Sequence, residues 1–143
     1  GALRHAGRDF RLGRGELREV LAAGMQIGSH GMHHRSWRRL PLHELKREIC
    51  DARTLLEDML GLPVTQAACP FGEYGRTALS LLAKSGFSRV YTSDRGWAKP
   101  EAWIQARNTI GCVSDIDKLQ EVRNWGWPTR LVRQFKMAVK RHR

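Results

Sequence analysis

Apolar residues recur at helical spacing in some stretches of this chain and gather in short runs in others, and the two kinds alternate. The clearest stretch runs from Leu42 to Leu60. There Leu42, Leu45, Ile49, Ala52, Leu56 and Met59 form one stripe at i, i+3, i+4 spacing, which predicts a helix. Arg47 with Asp51, and Arg53 with Glu57, stand four positions apart on its polar side and are expected to pair. Gly61 ends the helix and Pro63 blocks its continuation. Glu16 to Ala23 predicts a shorter helix with Leu17, Val20 and Leu21 inward and Gly24 as its stop. Thr77 to Lys84 predicts a third, closed by Gly86. Met25 to Ser29, Val64 to Cys69 and Phe87 to Thr92 read as short strands.

The resulting β-α-β-α-β order places the chain in the α/β class, with parallel strands and helices packed on them. Its 143 residues are enough for one domain with a core. A complete (β/α) barrel takes about 250 residues, or about 200 at the least, so this length fits part of one. In such sheets binding sites gather at the carboxyl ends of the strands. His30, Pro70 and Asp94 each stand just past such an end, so one rim is expected to carry all three.

Composition narrows the picture. Formal charge is +11 and the pI is about 10.6. No run approaches the ~18 apolar residues of a membrane span, and Gly1 to Arg14 has no apolar core of a signal peptide. Cys50, Cys69 and Cys112 are odd in number and lack Cys-x-x-Cys spacing, so they read as buried thiols rather than a disulfide scaffold or a cysteine zinc site. The end of the chain stands apart. Pro128 to Arg143 holds six Lys or Arg residues and no acid. Leu131, Val132, Phe135, Ala138 and Val139 fall on one helical face, opposite Arg133, Lys136, Lys140 and Arg141. The division expected is a domain over residues 1–127 and a basic amphipathic helix over 128–143. That helix is expected to dock its apolar face on the domain. The alternatives are peripheral contact with an anionic membrane surface or with an acidic polymer. Trp125-Gly126-Trp127-Pro128 before it reads as an interfacial aromatic anchor or a packed turn.

The candidate chemistry lies in Ile27-Gly28-Ser29-His30-Gly31-Met32-His33-His34-Arg35-Ser36-Trp37. His30 and His34, four positions apart after a strand, can converge on one ion, and imidazole is the commonest protein ligand for zinc and related metals. His33 is expected to face solvent or support the loop rather than ligate. His5, His43 and His142 are expected at the surface, and Trp37 either covers the loop or packs in the core.

Together with two later segments, this loop resembles the polysaccharide deacetylase family, the chitin-deacetylase-like carbohydrate esterases. Leu21-Ala22-Ala23-Gly24-Met25-Gln26-Ile27-Gly28-Ser29-His30 is similar to the approach to that family's Ser-His-x-x-x-His motif. Ala68-Cys69-Pro70-Phe71-Gly72-Glu73-Tyr74 is similar to its Pro-(Tyr/Phe)-Gly motif, although the arginine often found at position 68 is replaced by Ala68. Ser85 to Gly96 is similar to its following strand. The resemblance implies a distorted, here partial, (β/α) barrel. It implies Zn2+ or another divalent metal held by His30 and His34, and an N-acetylated (less readily O-acetylated) polysaccharide as substrate. It makes Pro70, Phe71, Gly72 and Tyr74 the wall of the substrate groove. Asp94-Arg95-Gly96-Trp97 would line the acetyl pocket, or form an ordinary turn with a packed tryptophan, which is the expectation here.

The resemblance also shows what this chain lacks. The family's Thr-Phe-Asp-Asp-Gly motif supplies a third metal ligand and the catalytic base, and no Asp-Asp pair occurs in this sequence. The late Leu-x-His motif, whose histidine is the general acid, is not visible either. No catalytic residue is therefore identified. The chain is expected to be the C-terminal part of a deacetylase domain, with Gly1 lying beyond the missing strand, or a degenerate relative. Little activity is expected of it alone unless Glu73 or Asp94 completes the site. Exposed strand edges of a partial barrel would favour self-association. The resemblance allows the bacterial cytoplasm or the cell envelope. The competing reading is a non-catalytic basic module for anionic glycan, membrane surface or nucleic acid, the last being weakest because no recognition motif is present.

Overall fold

The computed structural model describes residues 12–108, 120, 123–124 and 126–142. His5 and Cys112 lie outside them, as does Trp125. Three strands, β1 (Gln66–Ala68), β2 (Arg89–Thr92) and β3 (Ile104–Ala106), form a parallel sheet in that order. The register sets Ala67 beside Val90 and Val90 beside Ile104. Helices α1 (Arg14–Ala22), α2 (Leu42–Lys46) and α3 (Ala52–Leu60) precede β1, α4 (Arg76–Lys84) connects β1 to β2, and α5 (Trp127–His142) follows the sheet. Parallel strands with packed helices are the partial α/β barrel that the sequence predicts.

The core lies between the sheet and the helices. Ala67 and Val90 of the sheet share one buried cluster with Leu45, Ile49, Ala78 and Leu82 of the helical segments and with Trp37, Tyr74 and Phe87. Sequence positions explain most of this. The stripe Leu45, Ile49 and Ala52 is buried as its spacing requires, while Leu42 at the start stays exposed.

The long helix is not uniform. Between α2 and α3 the chain takes one π turn, Arg47–Asp51. A π turn closes i→i+5 bonds and rotates neighbours four apart out of line. Arg53 and Glu57, within regular α3, pair as expected at 2.8 Å. The pairing expected between Arg47 and Asp51 is absent from the ion pairs of the described residues, and the π turn between them is the physical reason. Gly61 ends α3 at a φ of 68°.

Two other expectations change. Met25 to Ser29 is extended but makes no strand ladder; only Ser29 bridges, in parallel, to Ala67. Its two bonds are Ser29 N–H to Gln66 O at 2.9 Å and Ala68 N–H to Ser29 O at 2.8 Å. Gly28 permits this approach, since a Cβ there would lie 3.0 Å from Gln66 O. Strand β3 was not expected, and it lengthens the sheet beyond β2. A second isolated parallel bridge joins Trp37 to Tyr74.

Helix α5 lies against α4. Its apolar face does not bury as expected: Leu131, Val132, Phe135 and Val139 remain exposed. No helix among the described residues is long and apolar enough to cross a membrane.

Candidate metal centre and groove

Ser29 is buried by its bridge to β1, so the next residue is delivered to the carboxyl end of the sheet. There the His30 ring meets Ala68 O through Nδ1 at 2.8 Å. A carbonyl only accepts, so Nδ1 carries the proton and Nε2 keeps its lone pair. That Nε2 faces His34 Nε2 across 3.1 Å. The rings are tilted at 63° with centroids 4.8 Å apart. The loop between them turns through Gly31 at a φ of 87° and reaches His34 at a φ of 55°. The second is a backbone conformation that a residue with a Cβ adopts at some cost, and such strain gathers at functional sites.

The donor set suits a metal in part. Two nitrogens 3.1 Å apart, each at the usual zinc–imidazole distance of roughly 2.0–2.1 Å, subtend about 100° at a shared ion, near the tetrahedral angle. The bond from Nδ1 to a carbonyl is the outer support that orients ligating imidazoles. The set is incomplete, however. Among the described residues no group of three or more His, Cys, Asp or Glu side chains is placed to hold a metal. The suggestion that Glu73 or Asp94 completes the site fails on this ground. Asp94 is otherwise engaged: its Oδ2 accepts from Tyr74 Oη at 2.6 Å and from Thr92 Oγ1 at 2.9 Å.

The turn after β1 stands beside the pair. Pro70–Gly72 makes one 3-10 turn in which Phe71 holds a φ of 55°. Phe71 is 64% exposed, and its ring meets the His34 ring edge to face. Pro70, Gly72 and Tyr74 are buried. Of the four expected groove residues, Phe71 is the one that solvent reaches freely. Gly72 tolerates no side chain, because a Cβ would lie 2.4 Å from Ser93 Cβ. The segment Asp94 to Trp97 bends through φ of 58° at Arg95 and 108° at Gly96, and Trp97 is 53% exposed. Thus the three loops expected on one rim do meet there, through His34 with Phe71 and Tyr74 with Asp94.

Trp37 is a core residue, 1% exposed, next to the histidine loop. His33 supports the loop: its Nδ1 lies 3.0 Å from Glu48 Oε1. His43 is exposed beside Glu44. Cys69 is buried as expected, and half-buried Cys50 contacts Ser85 Oγ at 3.4 Å. Sequence reasoning missed Glu48. It is buried, yet its carboxyl is held below the ordinary glutamate value. Burial pushes that value up, and the hydrogen bonds from the His33 ring and from the backbone N–H groups of His33 and Arg35 more than offset it. The available signal was an acid three positions after Leu45 and beside Ile49, on the inward stripe.

Comparisons with known proteins agree on the family and fold. The family model described as Polysaccharide deacetylase matches residues 5–90. YxkH of Bacillus subtilis (strain 168), assigned by name to the polysaccharide deacetylases, is 23% identical over 104 residues, which cover 73% of this chain and 37% of that protein. The structure of the Streptococcus pyogenes deacetylase PplD in complex with acetate superposes with a TM-score of 0.68 at 21% identity, over 80% of this chain and 52% of that one. A de-N-acetylase from Aggregatibacter actinomycetemcomitans superposes at 0.65 with 15% identity, over 80% and 56%. The chain therefore spans between about a third and somewhat more than half of these relatives.

Proposed function

The chain belongs to the polysaccharide deacetylase family, and on that premise we propose that it takes part in metal-dependent hydrolysis of N-acetyl groups on a polysaccharide, with His30 and His34 as two ligands of a divalent ion. Zinc is the ion the imidazole donors suit best. The observation that carries the reading is the pair of Nε2 atoms 3.1 Å apart, one of them fixed as an acceptor by Ala68 O. The acetate complex of PplD, a structural neighbour, supports the substrate class.

Bound between these rings, a divalent ion would lower the pKa of a water and polarise the acetyl carbonyl. The chain's own residues have simpler tasks. His30 is held in one tautomer by Ala68 O. His34 is held against it by the turn through Gly31 and by the Phe71 ring. Exposed Phe71 offers an apolar face on which a sugar ring can rest beside the histidines. The reaction adds the oxygen of water to the carbonyl carbon, breaks the C–N bond, and leaves acetate and a protonated amine. Neither the family's aspartate pair nor its late histidine motif occurs in this sequence, and among the described residues no third side chain joins the pair as a metal ligand. We therefore assign the chain two metal ligands and a groove wall, with little turnover on its own. Residues 1–127 would form this domain and residues 128–143 its basic appendage.

Zinc titration by calorimetry tests the reading, on this chain beside His30→Ala and His34→Ala, together with acetate release from an N-acetylated chitooligosaccharide. One site per chain, lost in either variant, is expected. Equal binding by all three proteins would remove the metal role of the pair.

One observation favours a second reading. A cavity of about 500 Å³ between α5 and the histidine loop's exit is lined by Arg38, Arg39, Lys136, Tyr74, Phe135 and other residues, with no acid among those described. Such a basic cleft suits an anionic glycan without any chemistry. Salt-sensitive glycan binding that survives loss of both histidines would support it.

A further inference from the structure

A buried carboxylate is costly unless its oxygens are satisfied, so its partners show what it is for. Glu48 is 1% exposed and lies in the one π turn among the described residues. Helical partners are not what satisfy it. The His33 backbone N–H reaches Oε1 at 3.1 Å and Oε2 at 3.3 Å, and the His33 ring Nδ1 lies 3.0 Å from Oε1. The Arg35 backbone N–H adds to the pull that holds the carboxyl below its ordinary value. Gly31 presses against it from the near side: a Cβ there would lie 2.7 Å from Oε2. Residues 31, 33 and 35 of the histidine loop thus all face one carboxylate, and His34, between two of them, takes the left-handed conformation that turns its ring toward His30.

We propose that Glu48 is a positioning residue for the His30–His34 pair, a buried anionic post around which the loop is folded so that the two imidazoles converge. The proposal rests on reading these histidines as metal ligands. It also gives the π turn a purpose. A π turn shifts the residues within it relative to a regular helix, and such turns gather at functional sites. Here the turn contains the acid that meets the loop. Glu48 touches neither ion nor substrate; it acts through the backbone and ring of His33, next to His34.

The decisive variant is Glu48→Gln. It keeps the shape but replaces one acceptor oxygen by an NH2 group that faces backbone N–H donors. Glu57→Gln is the control, since Glu57 likewise accepts from a backbone N–H, that of Val64, and from a side chain, but far from the loop. Zinc affinity by calorimetry is expected to fall about 10- to 100-fold in Glu48→Gln, the usual effect of losing an outer support, and to stay at the wild-type value in Glu57→Gln. Amide hydrogen exchange at His33 and Arg35 is expected to quicken in Glu48→Gln alone. Should that variant not fold, Glu48→Asp keeps the charge, withdraws the carboxylate by one methylene, and is expected to weaken zinc binding in the same direction. Wild-type zinc affinity in a folded Glu48 variant overturns the proposal, as does an equal loss in Glu57→Gln, which would make the effect one of general stability. Failure of the metal reading shows separately, as zinc binding by the unaltered chain that is absent or indifferent to His30→Ala and His34→Ala.

Discussion

The rings of His34 and Phe71 meet edge to face with centroids 4.5 Å apart, and both residues hold a φ of 55°. Two side chains from loops far apart in sequence are thus brought together by the same uncommon backbone conformation. Such strain costs roughly 1–2 kcal/mol per residue and persists only where the surroundings over-determine it. Phe71→Gly separates the two effects. Glycine accepts the conformation freely, and the lost ring is largely exposed. The melting temperature is expected to hold or rise slightly, while affinity for an N-acetylated oligosaccharide falls at least several-fold. A clear loss of stability would show that Phe71 serves packing instead.

Gly72→Ala should behave in the opposite way. Gly72 has a φ of 66°, and its Cβ would meet the Ser93 backbone N at 2.7 Å as well as the side chain. Strain alone is worth about 1–2 kcal/mol, and the clash adds to it. Thermal unfolding is expected at a lower temperature by several degrees, with zinc binding weakened through displacement of Phe71. An unchanged melting curve would contradict the crowding described.

Tyr74→Phe removes the donor that Asp94 Oδ2 receives at 2.6 Å. A hydrogen bond to a charged group contributes about 1.5–3 kcal/mol, so denaturant titration should show a loss in that range. Because Thr92 Oγ1 still donates to the same oxygen, the lower part of the range is expected. A negligible change would mean that water replaces the phenol at no cost.

Glu57 supplies a pH dependence away from the site. Its carboxyl is held below the ordinary value of 4.5, chiefly by the Arg53 guanidinium and then by the Val64 N–H, against a smaller opposing effect of burial. The unfolded chain therefore binds that proton more readily than the folded one. The stabilisation is complete above about pH 4.5 and fades as pH falls through the lower folded value. Glu57→Gln is expected to melt below wild type near neutrality and to approach it in acid. A gap that stays constant through the acid range would rule this out.

The sequence showed the long helix best because its apolar stripe spans several turns: Leu45, Ile49 and Ala52 are buried as spacing demands, whereas Leu17, Val20 and Leu21 of α1, expected inward, are only half-buried. It could not show the π turn, since one widened turn leaves most of such a stripe in line, yet that turn separates Arg47 from Asp51. Met25 to Ser29 had a strand's composition but finds a partner only at Ser29, and Ile104–Ala106 was too short to stand out. The histidine pair was legible from spacing. Glu48 was not, because one acid in a charge-rich helix ordinarily reads as solvated even at an inward position, and only the folded loop reveals what its oxygens meet. The exposed apolar face of α5 runs against the docking that its pattern predicts.

The two isolated bridges have a consequence of their own. Ser29 to Ala67 joins the histidine loop to the Pro70–Gly72 segment where both begin, and Trp37 to Tyr74 joins them again where both end. Two segments fastened together at each end form a closed hoop, and neither arm can open without the other. They should therefore exchange with solvent as one cooperative unit. Paired substitutions, one in each arm, should be thermodynamically coupled even where the altered side chains never touch.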